Sequence, residues 1–501
     1  MANDEMIEAT QTGSALQNFR QSLARPDVVK ALQAGLIGDG VMIPGPFGQH
    51  PLLYADYVAS GRALRQVETF IMEAVLPFYA NSHTEASYCG AYVTQMRHEA
   101  RAIVAKSVNA NNDYAVVFVG SGATGGLNRL VHLLGVSDAV RRGERPVIFI
   151  GPYEHHSNIL PWRESGAEII QIAECPNGGP DMAALEQALA DTADRSLRIG
   201  AFSAASNVTG ITTDTDKVTG LLKRHGALAV WDYAGGGPYL TIDMAPKAGL
   251  EKDAMILSPH KFLGGPGASG LLVVRKAAVV TRTPTQPGGG TVSFVSPWGQ
   301  DYVDDIASRE ESGTPNVIGD IRVALAVMVK QAVGQAFIDQ RHEELNQRAL
   351  AVWRNNPNLV LLGTDKSQRL PIFSFRVRDP NGGWLHHQLF TRMLSDYHGI
   401  QARGGCACAG PYAHALLGID RQASDALRAA LQRGEELEKP GWVRLNFSFL
   451  LDDSKADRII AAVDALARAP YPAADAYRVD PATARFKPLP ANGQLGASDA
   501  A

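Results

Sequence analysis

Residues 116–135 read VVFVGSGATGGLNRLVHLLG, an apolar run that breaks at a glycine-rich turn and resumes as a second, amphipathic stretch. Gly120, Gly122 and Gly125 spell G-x-G-x-x-G. A dinucleotide site needs that turn to open a helix, and an acid about 20 positions on, at the end of the next strand, to bind a ribose. The next apolar run, RPVIFI at 145–150, continues instead into GPYEHHSNILPW, where Glu154 is displaced into a loop. Two further readings of the turn stay open here: close packing of helix on strand, and a cradle for a single phosphate. A strand, a tight turn and a helix beginning near Thr124 offer an anion unpaired N–H groups and the positive end of a helix dipole, with Ser121 and Thr124 as hydroxyl donors.

Working outward, further runs with strand character are RIGAFSAAS from Arg198, LAVWDYA from Leu228, AMILSP from Ala254 and SGLLVVRK from Ser269. They alternate with helical patterns such as DMAALEQALADT and DTDKVTGLLKRHG. That alternation predicts an α/β fold with a mostly parallel sheet covered on both faces. The expected organisation is an N-terminal arm over 1–50, a large domain over 51–320 and a linking helix over 321–355. A smaller α/β domain over 356–470 and an irregular Pro- and Ala-rich tail over 471–501 complete it. The smaller domain is marked by the runs NLVLLG, LPIFSFRV and WVRLNFSF.

With 501 residues the chain exceeds what one hydrophobic core usually supports. A net charge of −4, with no block of like charge, argues against a basic nucleic-acid surface. No apolar run reaches the roughly 18 residues of a membrane span, and the N-terminus lacks the basic and apolar regions of a secretory signal. The expectation is a cytoplasmic protein. Its four cysteines are too few for a disulfide framework, so reduced thiols are expected.

Two residues at predicted strand ends carry chemistry. Asp232 ends LAVWD, and Lys261 follows AMIL in SPHK, one strand–helix–strand excursion later. Both would project from the carboxyl ends of parallel strands, the edge where open α/β sheets bind ligands. A lysine there can form a Schiff base with an aldehyde cofactor, and an aspartate can keep a pyridine nitrogen protonated, which is what pyridoxal phosphate requires. Taken singly, each is equally a surface lysine or a strand-end aspartate.

The ordered set GSGAT at Gly120, EHHSN at Glu154, SNVTG at Ser206, WDYA at Trp231, SPHK at Ser258, ESGTPN at Glu311, RGGCACAG at Arg403 and RLNFSF at Arg444 resembles the class V, fold-type I pyridoxal-phosphate enzymes, in particular cysteine desulfurases and selenocysteine lyases. The resemblance spans roughly residues 52–453. It implies that Lys261 carries the cofactor, Asp232 pairs with the pyridine nitrogen, and His155 stacks on the ring and shuttles protons. It implies a phosphate site from Ala123, Thr124, Ser258 and His260, with Thr314 lent to a second subunit of a homodimer. Asn207 and Arg444 resemble the pair that clamps a substrate carboxylate, a task suited to a planar guanidinium. One departure is Gly235, where the family carries a glutamine that bonds the cofactor phenolate.

Arg403, Gly405 and Cys408 match the R-x-G-x-x-C loop of desulfurases, which makes Cys408 the expected nucleophile toward substrate sulfur. Cys406 stands open as a second thiol, a resolving cysteine or a small filler. One-residue spacing lacks the paired pattern of structural zinc, so no metal is expected. The expected function is release of alanine from L-cysteine with a persulfide on Cys408, handed to a sulfur-acceptor protein. A selenocysteine lyase, a β-elimination lyase, a transaminase and an epimerase are alternatives on the same fold. A sulfur carrier without multiple turnover and, more distantly, an NAD oxidoreductase are alternatives of other classes. The segment GGGTVSFVSPWGQDYVDD from Gly288 has no assigned role.

Overall fold

The computed structural model describes residues 13–82, 85–363 and 368–489. The outer parts of the expected arm and tail lie outside them. The central sheet has seven strands: β1 (Tyr114–Val119), β2 (Val147–Ile150), β3 (Glu168–Gln171), β4 (Arg198–Ser203), β5 (Leu228–Asp232), β6 (Ala254–Leu257) and β7 (Gly270–Arg275). Their spatial order is β1-β7-β6-β5-β4-β2-β3, all parallel except β7, which runs antiparallel to both β1 and β6. Every residue of β1, β2 and β6 is buried, which is why these strands read as unbroken apolar runs rather than as alternation.

The helix Gly122–Leu133 lies on one face of the sheet, beginning two residues earlier than the sequence suggests. Its close seat depends on Gly126, where a Cβ would stand 2.3 Å from Ile256 Cγ2. On the other face the helix Tyr88–Ser107 packs on Val317–Val333, which is buried along most of its length. An ion network binds this layer to the sheet: Arg97 meets Asp320 at 2.9 Å and Glu311 at 2.8 Å, and Glu311 also accepts the Phe118 N–H of β1 at 2.7 Å. The segment ESGTPN is therefore tied by its first residue to the cradle strand.

A second sheet orders β8 (Leu359–Leu361), β9 (Ile372–Arg378), β11 (Trp442–Asn446) and β10 (Arg403–Gly405), all antiparallel. Its core gathers Trp353, Phe373, Phe375 and Phe447 under the helices Gln335–Trp353, His387–His398 and Asp453–Arg468. Leu53–Tyr54 pairs in parallel with Ile400–Gln401, and the Asn446 N–H donates to the Ala55 carbonyl at 2.8 Å. By pairing, this early segment belongs to the C-terminal lobe, although the expected division at residue 51 puts it in the large domain.

Two expectations need correction. The linking helix is two helices, Val317–Val333 and Gln335–Trp353, bent by 76° at Gly334, whose φ of +84° lies in the region open to glycine. The tail is not irregular throughout, since Tyr477–Asp480 and Arg485–Pro488 form an antiparallel hairpin. Pro481 begins the tight connection and ends the first strand by removing a ladder donor. No single helix among the described residues is long and apolar enough to cross a membrane.

Candidate active site

The carboxyl edge of the central sheet opens into a cavity of about 210 Å³. Four segments shape it: the cradle Ser121–Thr124 after β1, the loop carrying Tyr153, His155 and Ser157 after β2, Asp232 to Gly235 at the end of β5, and Ser258 to Lys261 after β6. Ser203 at the end of β4 and Asn207 beyond it close the remaining side. Because β7 is reversed, its first residue, Gly270, also arrives at this edge, opposite Val119. A Cβ on Gly270 would lie 2.4 Å from the Gly122 carbonyl, so the cradle rests directly on bare backbone.

The cradle is held by contacts of its own. The Ala123 N–H donates to Ser258 Oγ at 3.0 Å, and Thr124 Oγ1 lies 2.7 Å from Ser157 Oγ. Gly122 has φ +59°, and a Cβ there would stand 3.1 Å from Ser258 Oγ and 3.3 Å from the His260 ring. A helix N-terminus, three hydroxyls and a concavity that a single methyl would fill suit a phosphate. Pyridoxal phosphate fits the remaining donor set. Lys261 stands in the same cavity as that cradle, and Asp232 accepts the Ala234 N–H on Oδ1 at 2.7 Å.

Burial governs the electrostatics. Lys261 is pushed down to about 8 by desolvation, against which Asp232 works in the opposite direction. Burial also raises Asp232, while the Ala234 N–H and Lys261 hold it back. Burial, assisted by the charge on Lys261, lowers His155 to about 4, so its ring is neutral at neutral pH. The Ser157 N–H donates to His155 Nδ1 at 3.1 Å, which leaves the ring proton on Nε2. His260 is likewise lowered by burial and by Lys261.

Beneath this layer lies Glu154, 2% exposed, which accepts from the Ser203 N–H at 2.8 Å, the Ser203 hydroxyl at 2.7 Å and Asn158 Nδ2. Burial outweighs those three donors and lifts its carboxyl to about 7. Ser203 is directly opposite Asp232 in the β4–β5 register, so Glu154 is bonded to the residue beside Asp232. The sequence offered Glu154 as a displaced ribose ligand and as the first residue of the EHHSN motif, with no role of its own, and Ser203 and Tyr153 carried no signal at all.

Of the expected site residues, Ala123, Thr124, His155, Asn207, Asp232, Ser258, His260 and Lys261 converge on the one cavity. Thr314 does not line it and is exposed. Arg444 is also outside the lining: it is 3% exposed, with Nη1 donating to the Asn207 carbonyl and Nη2 to Asp56 Oδ1, both at 3.0 Å. Its buried Nε has no acceptor among the described residues. Gly235 does line the cavity, and a Cβ there would meet only ordinary contacts. Asn207 Nδ2 donates one of its two hydrogens to the Ala407 carbonyl at 2.9 Å.

That last bond ties the cysteine loop to the cavity wall. Cys408 is exposed, whereas Cys406 is half-buried and packs against the cluster of Tyr153, Tyr412 and Trp442. Among the described residues no group of three or more His, Cys, Asp or Glu side chains is placed to hold a metal. A second cavity of about 290 Å³ surrounds Lys330, whose Nζ donates to the Gly237 carbonyl at 2.7 Å. Its lining is mainly apolar and carries no carboxylate for a ring nitrogen.

Residues 53–438 match the protein family described as Aminotransferase class-V. A cysteine desulfurase of Shigella flexneri is 30% identical over 375 residues, covering 72% of this chain and 85% of that protein. One from Salmonella agona (strain SL483) is 29% identical over the same shares. Among solved structures, a cysteine desulfurase from Thermococcus onnurineus NA1 in its apo form has a TM-score of 0.67 at 23% identity, covering 83% of this chain and 95% of that one. An Escherichia coli cysteine desulfurase in an S-sulfonic acid form has a TM-score of 0.64 at 24% identity, covering 90% and 98%. These two establish likeness of fold.

Proposed function

The chain belongs to the class V aminotransferase family of pyridoxal-phosphate-dependent enzymes, and from that premise we propose that it is a desulfurase of L-cysteine or a closely related amino acid, with Cys408 as its sulfur-accepting thiol. The observation that carries the reading is the meeting of Lys261, Asp232, His155 and the phosphate cradle in one cavity whose wall, at Asn207, also holds the cysteine loop.

When bound, pyridoxal phosphate supplies an electron-withdrawing ring that stabilises negative charge on the substrate carbon next to the amine. The cradle and Ser258 would hold its phosphate, and the Asp232 carboxylate would keep the ring nitrogen protonated. Lys261 would carry the cofactor and would also serve as the base that moves protons at the substrate carbons, work that an amine near 8 suits. His155, neutral and lining the same cavity, would face the bound cofactor and could hold or pass a proton at Nε2. Arg444 orients the substrate carboxylate, with its buried Nε as the donor still to be satisfied. The Cys408 thiolate attacks the substrate sulfur: a sulfur–sulfur bond forms, the carbon–sulfur bond breaks, and its electron pair passes to carbon. Protonation of that carbon leaves alanine, and the sulfur remains on Cys408 as a persulfide.

The finer parts of this reading are a homodimer and a sulfur-acceptor protein. The dimer is supported by Thr314, exposed and outside the lining of its own cavity, and by Phe294, Val295 and Trp298 at 58, 63 and 92% exposure on the hairpin Val292–Ser296/Gly299–Tyr302. The acceptor is supported by the exposure of Cys408. The deciding test is visible absorption of the purified protein with assays of alanine and sulfide on adding L-cysteine. Cofactor absorbance that is lost in Lys261→Ala, together with alanine formation that is lost in Cys408→Ala, is the expected result. Alanine formation intact in Cys408→Ala would overturn the desulfurase reading.

A further inference from the structure

The loop Cys406–Ala409 has a conformation that its own sequence does not favour. Ala407 and Cys408 have φ of +53° and +55°, two successive non-glycine residues in the left-handed region. Each such residue is strained, because Cβ crowds the carbonyl. Within the loop the Ala409 N–H donates to the Cys406 carbonyl at 3.1 Å, which closes the turn but does not choose its hand. External contacts over-determine it.

One contact is the Asn207 amide on the Ala407 carbonyl. Two more come from His156. Its backbone N–H donates to the Cys408 carbonyl at 2.9 Å, and its ring Nε2 accepts the Gly410 N–H at 3.0 Å. The residue thus grips the chain at Cys408 with its backbone and two positions on with its ring. Gly410 is also the position whose missing side chain admits the ring, since a Cβ there would stand 3.0 Å from Nε2. Burial and the nearby Arg163 lower the ring's basicity, which keeps Nε2 free to accept. His156 follows His155, which lines the cavity, so the clasp and the cavity wall share one backbone segment.

We propose that His156 is the positioning residue of the nucleophile loop: its ring and backbone clasp the chain around Cys408 and hold the thiol beside the Asn207 wall of the cavity. The proposal rests on the reading of Cys408 as nucleophile. It assigns His156 no contact with substrate or cofactor, and it predicts that loss of the ring affects the sulfur-transfer step and leaves cofactor capture alone.

The test uses the holoenzyme and two readouts, steady-state kinetics with L-cysteine and the rate of iodoacetamide alkylation at each cysteine, followed by peptide mass spectrometry. For His156→Ala the expected result is a kcat lowered about tenfold or more with KM within about threefold, since displacement of a reacting group by about 1 Å costs rate rather than binding. Alkylation at Cys408 should rise about threefold or more while that at Cys89 stays constant, as the freed loop samples open conformers. His156→Gln, whose amide oxygen can accept from Gly410, should recover most of both effects. Gly410→Ala presses on the same contact from the other side and should reproduce the Ala phenotype, which keeps the test decisive should His156→Ala fail to fold. Unchanged Cys408 alkylation, or a loss confined to KM or to cofactor absorbance, would overturn the proposal. Full turnover in Cys408→Ala would sink the nucleophile reading, and the alkylation rates would still decide the clasp.

Discussion

The Asp56 carboxylate stands between two guanidinium groups, with Oδ1 3.0 Å from Arg444 Nη2 and Oδ2 3.0 Å from Arg403 Nε. Two positive charges against one negative leave a net positive charge beside the cavity, and the Arg444 Nε has no acceptor among the described residues. A substrate carboxylate is the complement of that arrangement. Arg444→Lys replaces a planar fork with a point charge, so KM for L-cysteine should rise about tenfold or more with a smaller change in kcat. Initial-rate kinetics across cysteine concentrations check this; an unchanged KM would remove Arg444 from substrate binding.

Cofactor capture should follow the protonation of Lys261. Only the neutral amine attacks an aldehyde, and burial brings this amine down to about 8. The rate at which apoenzyme takes up pyridoxal phosphate should therefore climb as pH rises through about 8 and level off above it. Stopped-flow absorption from pH 6.5 to 9.5 measures the midpoint. A midpoint near the usual lysine value would show that the burial is not felt.

The two thiols of the C-x-C pair should behave differently. Cys408→Ala removes the exposed thiol of the loop and should abolish alanine formation to within about one part in a hundred. Cys406→Ala removes only a half-buried packing contact and should keep turnover within about threefold. Equal losses in both variants would make the pair a single functional unit.

Glu154, although outside the lining of the cavity, should prove important to the fold. Glu154→Gln turns one acceptor oxygen into a donor amide facing the Ser203 and Asn158 donors, so a buried clash of donors follows. A loss of about 1–3 kcal/mol is expected in chemical denaturation at pH 8, where the native carboxyl is ionised. The sign of the pH effect follows from the raised native value. The native state binds the proton more readily than the unfolded chain, so wild-type stability should fall as pH rises from about 4.5 to about 7, and the variant should lack that component.

The chemistry-bearing residues were legible where the chemistry dictates residue type at a strand end. Lys261 and Asp232 each close an apolar run, and the glycines at 120, 122 and 125 break one, so pattern and function coincide. The supporting layer was not legible, because its partners are far apart in the chain and share no period. Asp56 and Arg444 are 388 positions apart. Glu154 meets Ser203 only because β4 is the neighbour of β2 in the sheet. Gly334 looked like one more small residue in an Ala-rich helix, and only its left-handed backbone shows the break. The tail hairpin was hidden by composition, since YRVD and RFKP are short, polar and mostly exposed.

The pairing of Leu53–Tyr54 with Ile400–Gln401 bears on how the chain is made. A ribosome extrudes this small strand long before the residues it will lie against exist. During elongation the segment has no partner, and at roughly 5–20 residues per second it waits some tens of seconds for one. The central sheet can assemble in that interval, but the Asp56 bridge to Arg403 and Arg444 cannot. The bridge therefore forms only when the C-terminal lobe folds around a strand that was synthesised first, so a truncated or stalled chain that has its cradle and lysine still lacks the paired guanidinium groups of Arg403 and Arg444.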